Sequence, residues 1–142
     1  MNSRTILIAY QDGLCSQSLS GYFYQMGYKI EASKALTEII RKIRKGNIHV
    51  VLIEDEIEGV KACDVVPLLK NINPKIQIIV ISSEESIPLV KRLRGTGIFY
   101  QAMKPVDSEE VKSAVKCAFE KIERESLEEG FFSFLVPSPA PA

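Results

Sequence analysis

The chain has 142 residues, 46% of them hydrophobic and 25% charged, which is enough length and apolar content for one compact domain with its own core. Its 18 Lys and Arg balance 18 Asp and Glu, so no net positive field draws it onto nucleic acid or an anionic membrane surface. The 3 cysteines (Cys15, Cys63 and Cys117) lack a C-x-x-C and suit reduced thiols better than a disulfide framework, and no apolar run reaches the length of a signal-peptide core or membrane span. A soluble, cytoplasmic chain is expected, with no membrane or nucleic-acid partner.

In chain order, β-branched runs predict strands at Thr5–Ala9, Tyr28–Ala32, Val50–Ile53, Ile76–Ile81 and Ile98–Ala102. Helical spacing fills the gaps: Leu14, Leu19, Phe23 and Met26; Leu36, Ile39, Ile40 and Ile43; Val65, Val66, Leu69 and Ile72; Leu89, Val90 and Leu93; then Val111, Val115, Ala118, Phe119 and Ile122. Gly27, Gly46 and Gly95 stand as stop signals, and Asp107 or Ser108 caps a first turn holding Glu109 and Glu110. Five strand–helix alternations with apolar middle strands predict a parallel sheet buried on both faces. The expected fold is α/β, a three-layer doubly wound (βα)5 sandwich of flavodoxin-like strand order 2-1-3-4-5. It spans residues 1–125, followed by a hydrophobic and then Pro-rich tail over 126–142.

In such a sheet the functional crevice lies beyond the carboxyl ends of the strands. Those ends carry Tyr10, Gln11 and Asp12; Glu54 and Asp55; Ser82 and Ser83; and Lys104 before Pro105. The set, with the segments HVVLIEDEIEG, IIVISS and AMKP in order and at fitting spacing, resembles a response-regulator receiver (CheY-like) domain from about Thr5 to Ile122. In that family, an acidic pair after strand one holds Mg²⁺ and an Asp after strand three accepts phosphoryl. A Ser or Thr and a Lys contact the phosphoryl oxygens, the Lys preceding a proline through a bond that is often cis.

By position Ser82 and Lys104 match, and the rest departs. The acidic pair falls on Tyr10 and Gln11, the phosphoacceptor on Glu54, and the aromatic switch residue on Gln101, with Phe99 and Tyr100 out of register. The resemblance therefore implies an atypical, pseudo-receiver variant. A site with three carboxylates needs a divalent cation to offset its charge, whereas Glu54 and Lys104 alone balance. A direct ion pair is expected, joined by the amide of Gln11 and the hydroxyl of Ser82, with no resident cofactor and at most weak Mg²⁺ affinity. Glu54 also reaches one methylene too far for in-line phosphoryl transfer.

The resulting expectation is a non-enzymatic module of two-component signalling that regulates a protein partner, such as a histidine kinase or an output protein, independently of phosphorylation. The alternative is a working response regulator, phosphorylated by a histidine kinase in a phosphorelay at Asp55, with Asp12 as a metal ligand. That register turns the side chains to the other face and needs a bulge. A third reading, a small-molecule site, lacks a Gly-rich loop after strand one.

Lys91, Arg92 and Arg94 on the fourth helix, beside Phe99, Tyr100 and Gln101, are either a solvated face or an interface. The resemblance makes the surface of helix four, strand five and helix five a partner or homodimer contact. His49 begins strand three away from the crevice and reads as structural, while Cys15 and Cys63 read as packing thiols at helix starts. Phe131, Phe132 and Phe134 fold back, extend helix five into a dimer contact or form a docking peptide. Transcriptional output is expected on another chain.

Overall fold

A computed structural model describes residues 4–11, 13–83 and 86–135, with the side chains of residues 13–16 and 132–134 outside that description. Seven strands and five helices follow one another as β1 (Thr5–Ala9), α1 (Gly13–Gln25), β2 (Lys29–Ser33), α2 (Leu36–Arg44), β3 (Val50–Glu54), β4 (Glu56–Ile57), β5 (Val60–Lys61), α3 (Ala62–Ile72), β6 (Gln77–Ser82), α4 (Ile87–Arg94), β7 (Tyr100–Met103) and α5 (Ser108–Leu135). Five form a parallel sheet in the order β2-β1-β3-β6-β7. With the small β4–β5 hairpin set aside, this is the expected 2-1-3-4-5 order.

Every residue of β1, β3 and β6 is buried, and alternation by two sends them to two cores. Leu7, Ala9, Val51, Ile53, Ile78 and Val80 pack with Ile39 and Ile43 of α2 and with Val65, Val66 and Leu69 of α3. Ile6, Ile8, Val50, Leu52, Ile79 and Ile81 pack with Leu19 and Phe23 of α1 and with Val111, Val115, Ala118 and Phe119 of α5. The sheet is thus the middle of three layers, and the parity of a residue on a central strand tells which helices it faces.

Two differences from the sequence reading bear on function. The first is the antiparallel β4–β5 hairpin, closed by Glu58 and Gly59 at φ 49° and 82°. Two successive positive φ values make a type I′ turn, which suits Gly at the second position and strains Glu at the first. Glu58 holds that conformation while its carboxylate accepts the backbone N–H of Leu36, capping α2, whose own N-cap residue Ala35 makes no side-chain bond.

The second is α5, which continues through Leu135, past the boundary set at residue 125. Leu127, Glu128, Glu129 and Leu135 favour a helix where Gly130 does not, and the ion pairs Arg4–Glu123 at 2.5 Å and Lys75–Glu129 at 3.3 Å tie α5 to the body. The tail beyond Leu135 lies outside the described residues. No described helix is long and apolar enough to cross a membrane.

Since Glu58 caps α2 from outside, Glu58→Ala is expected to lower stability by about 1 kcal/mol, the usual worth of an N-cap acceptor. Urea unfolding of the two proteins side by side measures it.

Candidate functional site

The carboxyl ends of β1, β3, β6 and β7 converge as expected, and the end of β3 organises the site. Glu54 pairs in register with Ile81 and shares the parity of Val50 and Leu52, so it faces the α1 and α5 layer. There its Oε2 accepts the backbone N–H of Gln11, and its Oε1 lies 3.2 Å from Lys104 Nζ. The Glu54 side chain is 5% exposed and that of Lys104 34%. Lys104 shares its parity with Ala102, which packs in the same core, its own N–H donates to the Ser82 carbonyl at 2.8 Å, and its bond to Pro105 is cis. The expected ion pair is therefore present, with the amide of Gln11 acting through its main chain.

Asp55 follows directly but sits on the other side, with the parity of Val51 and Ile53. Its Oδ2 accepts the N–H and the hydroxyl of Ser83, each at 2.9 Å, and the hydroxyl of Ser82 bonds to it as well. Burial pushes its pKa up, but the bonds from Ser82 and Ser83 and the charge of Lys104 outweigh that, so the carboxyl is held below its ordinary value. The stability this lends is complete above about pH 4 and fades as pH falls through the lowered value. Beside Asp55 opens a cavity of about 210 Å³, lined among others by Glu56, Lys61, Cys63, Ser83 and Leu89. Cys63 is buried at the start of α3, in keeping with a packing thiol.

Tyr10 is half-buried against the α1 and α5 core, while Gln11 is exposed. Asp12 lies outside the described residues, as does the side chain of Cys15. His49 lies at the far end of the sheet, where its Nδ1 accepts the Thr5 N–H at 3.2 Å and burial lowers its pKa, a structural role.

The expected cluster of cations and aromatics divides between layers. Lys91, Arg92 and Arg94 are exposed on α4, but Arg92 is paired to Asp64 of α3 at 3.0 Å. Phe99 is half-buried against the α5 core, and the Tyr100 hydroxyl donates to Glu110 of α5 at 2.9 Å, which with burial raises its pKa. Gln101 has the parity of Met103, toward whose sulfur its amide points at 3.9 Å, and its Oε1 is buried with no hydrogen-bond partner among the described residues. Alternation along β7 turns Tyr100 and Ala102 toward α5 and Gln101 and Met103 the other way. Sequence reasoning missed the role of Ser83, whose position after a matching serine was its only signal.

Comparison with known proteins agrees with this geometry. Residues 6–116 match the family model described as the response regulator receiver domain. The DNA-binding transcriptional regulator NtrC of Azospirillum brasilense is 24% identical over 118 residues, which are 83% of this chain and 24% of that protein, so the chain spans about a quarter of its relative. A CheY-like response regulator receiver domain protein from Methanospirillum hungatei superposes with a TM-score of 0.80 at 19% identity, covering 87% of this chain and 98% of the other. The beryllofluoride-activated NtrC4 receiver domain dimer gives 0.77 at 22% identity, covering 83% and 98%. At such identities the two structures establish the fold alone.

Removing one partner of a buried pair leaves the other charge uncompensated. Lys104→Met is therefore expected to lower stability by about 2 kcal/mol, less than for a fully buried pair because the lysine is a third exposed. The double variant Glu54→Gln/Lys104→Met regains much of that loss, and chemical denaturation of all four proteins in a double-mutant cycle measures the coupling.

Proposed function

The chain belongs to the response-regulator receiver family, and from that premise we propose that it is a signalling module regulating a protein partner through an acceptor site already closed by an internal ion pair. The observation that carries this reading is the buried Glu54 carboxylate, which takes the Gln11 N–H on one oxygen and faces Lys104 at 3.2 Å with the other. A lysine so engaged is not available to an incoming phosphoryl group without breaking that pair. The extra methylene of Glu54 also displaces its oxygens from in-line attack.

Receiver domains typically bind Mg²⁺ at this site, and the donors here do not fit it. A hard divalent cation asks for several oxygen ligands with surplus negative charge. Tyr10 and Gln11 bring no anion, and Glu54 is balanced by Lys104.

One observation favours a second reading. Asp55 is held ionised, borders an open cavity and has the Ser82 hydroxyl and the Lys104 charge at hand, the groups a phosphoacceptor uses. In that reading a histidine kinase supplies the phosphoryl group. Intact-protein mass spectrometry after incubation with acetyl phosphate and Mg²⁺ separates the two. The unmodified mass is expected, and an alkali-labile phosphoryl that disappears in Asp55→Asn would sink the first reading in favour of the second.

For the partner face we propose the surface of α4, β7 and α5, where Lys91, Arg94, Tyr100 and Met103 are exposed. The partner is a histidine kinase, an output protein or a second copy of the chain. Lys91→Glu with Arg94→Glu is expected to weaken association in sedimentation velocity, and association unchanged by the double reversal removes this face.

A further inference from the structure

Asp55 takes its hydrogen bonds from one segment, the junction between β6 and α4. The Ser82 hydroxyl, the Ser83 N–H and the Ser83 hydroxyl all bond to the same carboxylate. Its own backbone is anchored separately, since its carbonyl accepts the Ala62 N–H at 2.7 Å where the β4–β5 hairpin meets α3. The acceptor therefore stands on fixed main chain and the donors on the segment that leads into α4.

The attachment of α4 itself is slight. Of its residues only Leu93 is buried, Ile87 at its start is 68% exposed, and the Arg92–Asp64 pair holds it on the side of its last turn. In the sequence only Glu84 and Glu85 separate Ser83 from Ser86, the residue before α4, so the exit from β6 limits where that turn can sit. Three hydrogen bonds to a charged acceptor are the strongest constraint on that exit, because each is a charge-assisted bond shielded in part from water.

We infer that Asp55 is a fixed anionic clamp, tying the β6–α4 junction to the end of β3 and setting the position of α4 without any covalent modification. Glu54 neutralises Lys104 and Asp55 gathers the hydroxyls, so two adjacent carboxylates divide the work of one site. The clamp rests on the reading above only in the use made of α4 as a partner face.

Amide hydrogen exchange on the full chain tests it. Asp55→Ala is expected to speed exchange at Ser83 and across Ile87–Arg94 by about tenfold or more, the equivalent of one lost charge-assisted bond, with α3 and the central strands unchanged. Ser83→Ala, which keeps the carboxylate and removes one donor, gives a smaller rise at the same amides and serves if Asp55→Ala fails to fold. Glu54→Gln leaves α4 exchange as it was. Unaltered α4 protection in the Asp55 and Ser83 variants, or loosening spread evenly over the molecule, overturns the clamp. A phosphoryl group found on Asp55 in the mass-spectrometric experiment, with α4 still dependent on that residue, overturns the phosphorylation-independent reading and leaves the clamp standing.

Discussion

The strand β3 ends on the carboxylate of Glu54 and that of Asp55 follows at once, and extended backbone points neighbouring side chains to opposite faces. Because β3 is the middle of the sheet and buried throughout, that rule acts without slack: Glu54 must enter the layer of α1 and α5, and Asp55 that of α3 and α4. Each carboxylate meets a different set of partners as a result. On one side wait the Gln11 N–H and the Lys104 ammonium, on the other the hydroxyls of Ser82 and Ser83. The division of the site follows from backbone geometry before any electrostatics is considered.

Electrostatics then selects what the divided site can hold. A carboxylate at 5% exposure is stable as an anion only with a countercharge and hydrogen bonds, and Glu54 has both. Tyr10 and Gln11 add no charge beside the Glu54–Lys104 pair, and Tyr10 adds its ring to the packing beneath. A carboxylate at Tyr10 or Gln11 would bring back a surplus of charge that the single lysine does not cover.

Much of this was legible beforehand, for identifiable reasons. The alternation of β-branched runs with helical spacing determined the layers, and the strand ends named Glu54, Ser82 and Lys104, because long-range order in a doubly wound sheet follows from short-range pattern. The ion pair followed from counting charges. The β4–β5 hairpin did not, since Glu58-Gly59 is a poor match to the Asn-Gly and Asp-Gly signals and Glu58 holds its positive φ while bonded to the start of α2, which is remote in sequence. The stop after α4 falls on Gly95, its C-cap, as expected, while Gly97 carries the left-handed conformation at φ 92° and strand β7 begins at Tyr100, later than the run from Ile98 suggests. The pairing of Arg92 with Asp64 and of Tyr100 with Glu110 depends on which helix lies across which face, which no local window contains.

The long last helix has a mechanical meaning. At 28 residues α5 is about 42 Å of nearly rigid rod, held to the body along its first part and braced below by Arg4 and Lys75. Its upper end is tied through Glu110 to Tyr100, next to the crevice, while its lower end carries the exposed Leu127, Phe131 and Leu135. A rod so mounted is a lever. A tilt of about 5° at the crevice end, on that length, carries Leu135 some way past 3 Å, roughly the width of a contact. Any such tilt at one pole of the domain would be expressed as displacement of an apolar surface at the other.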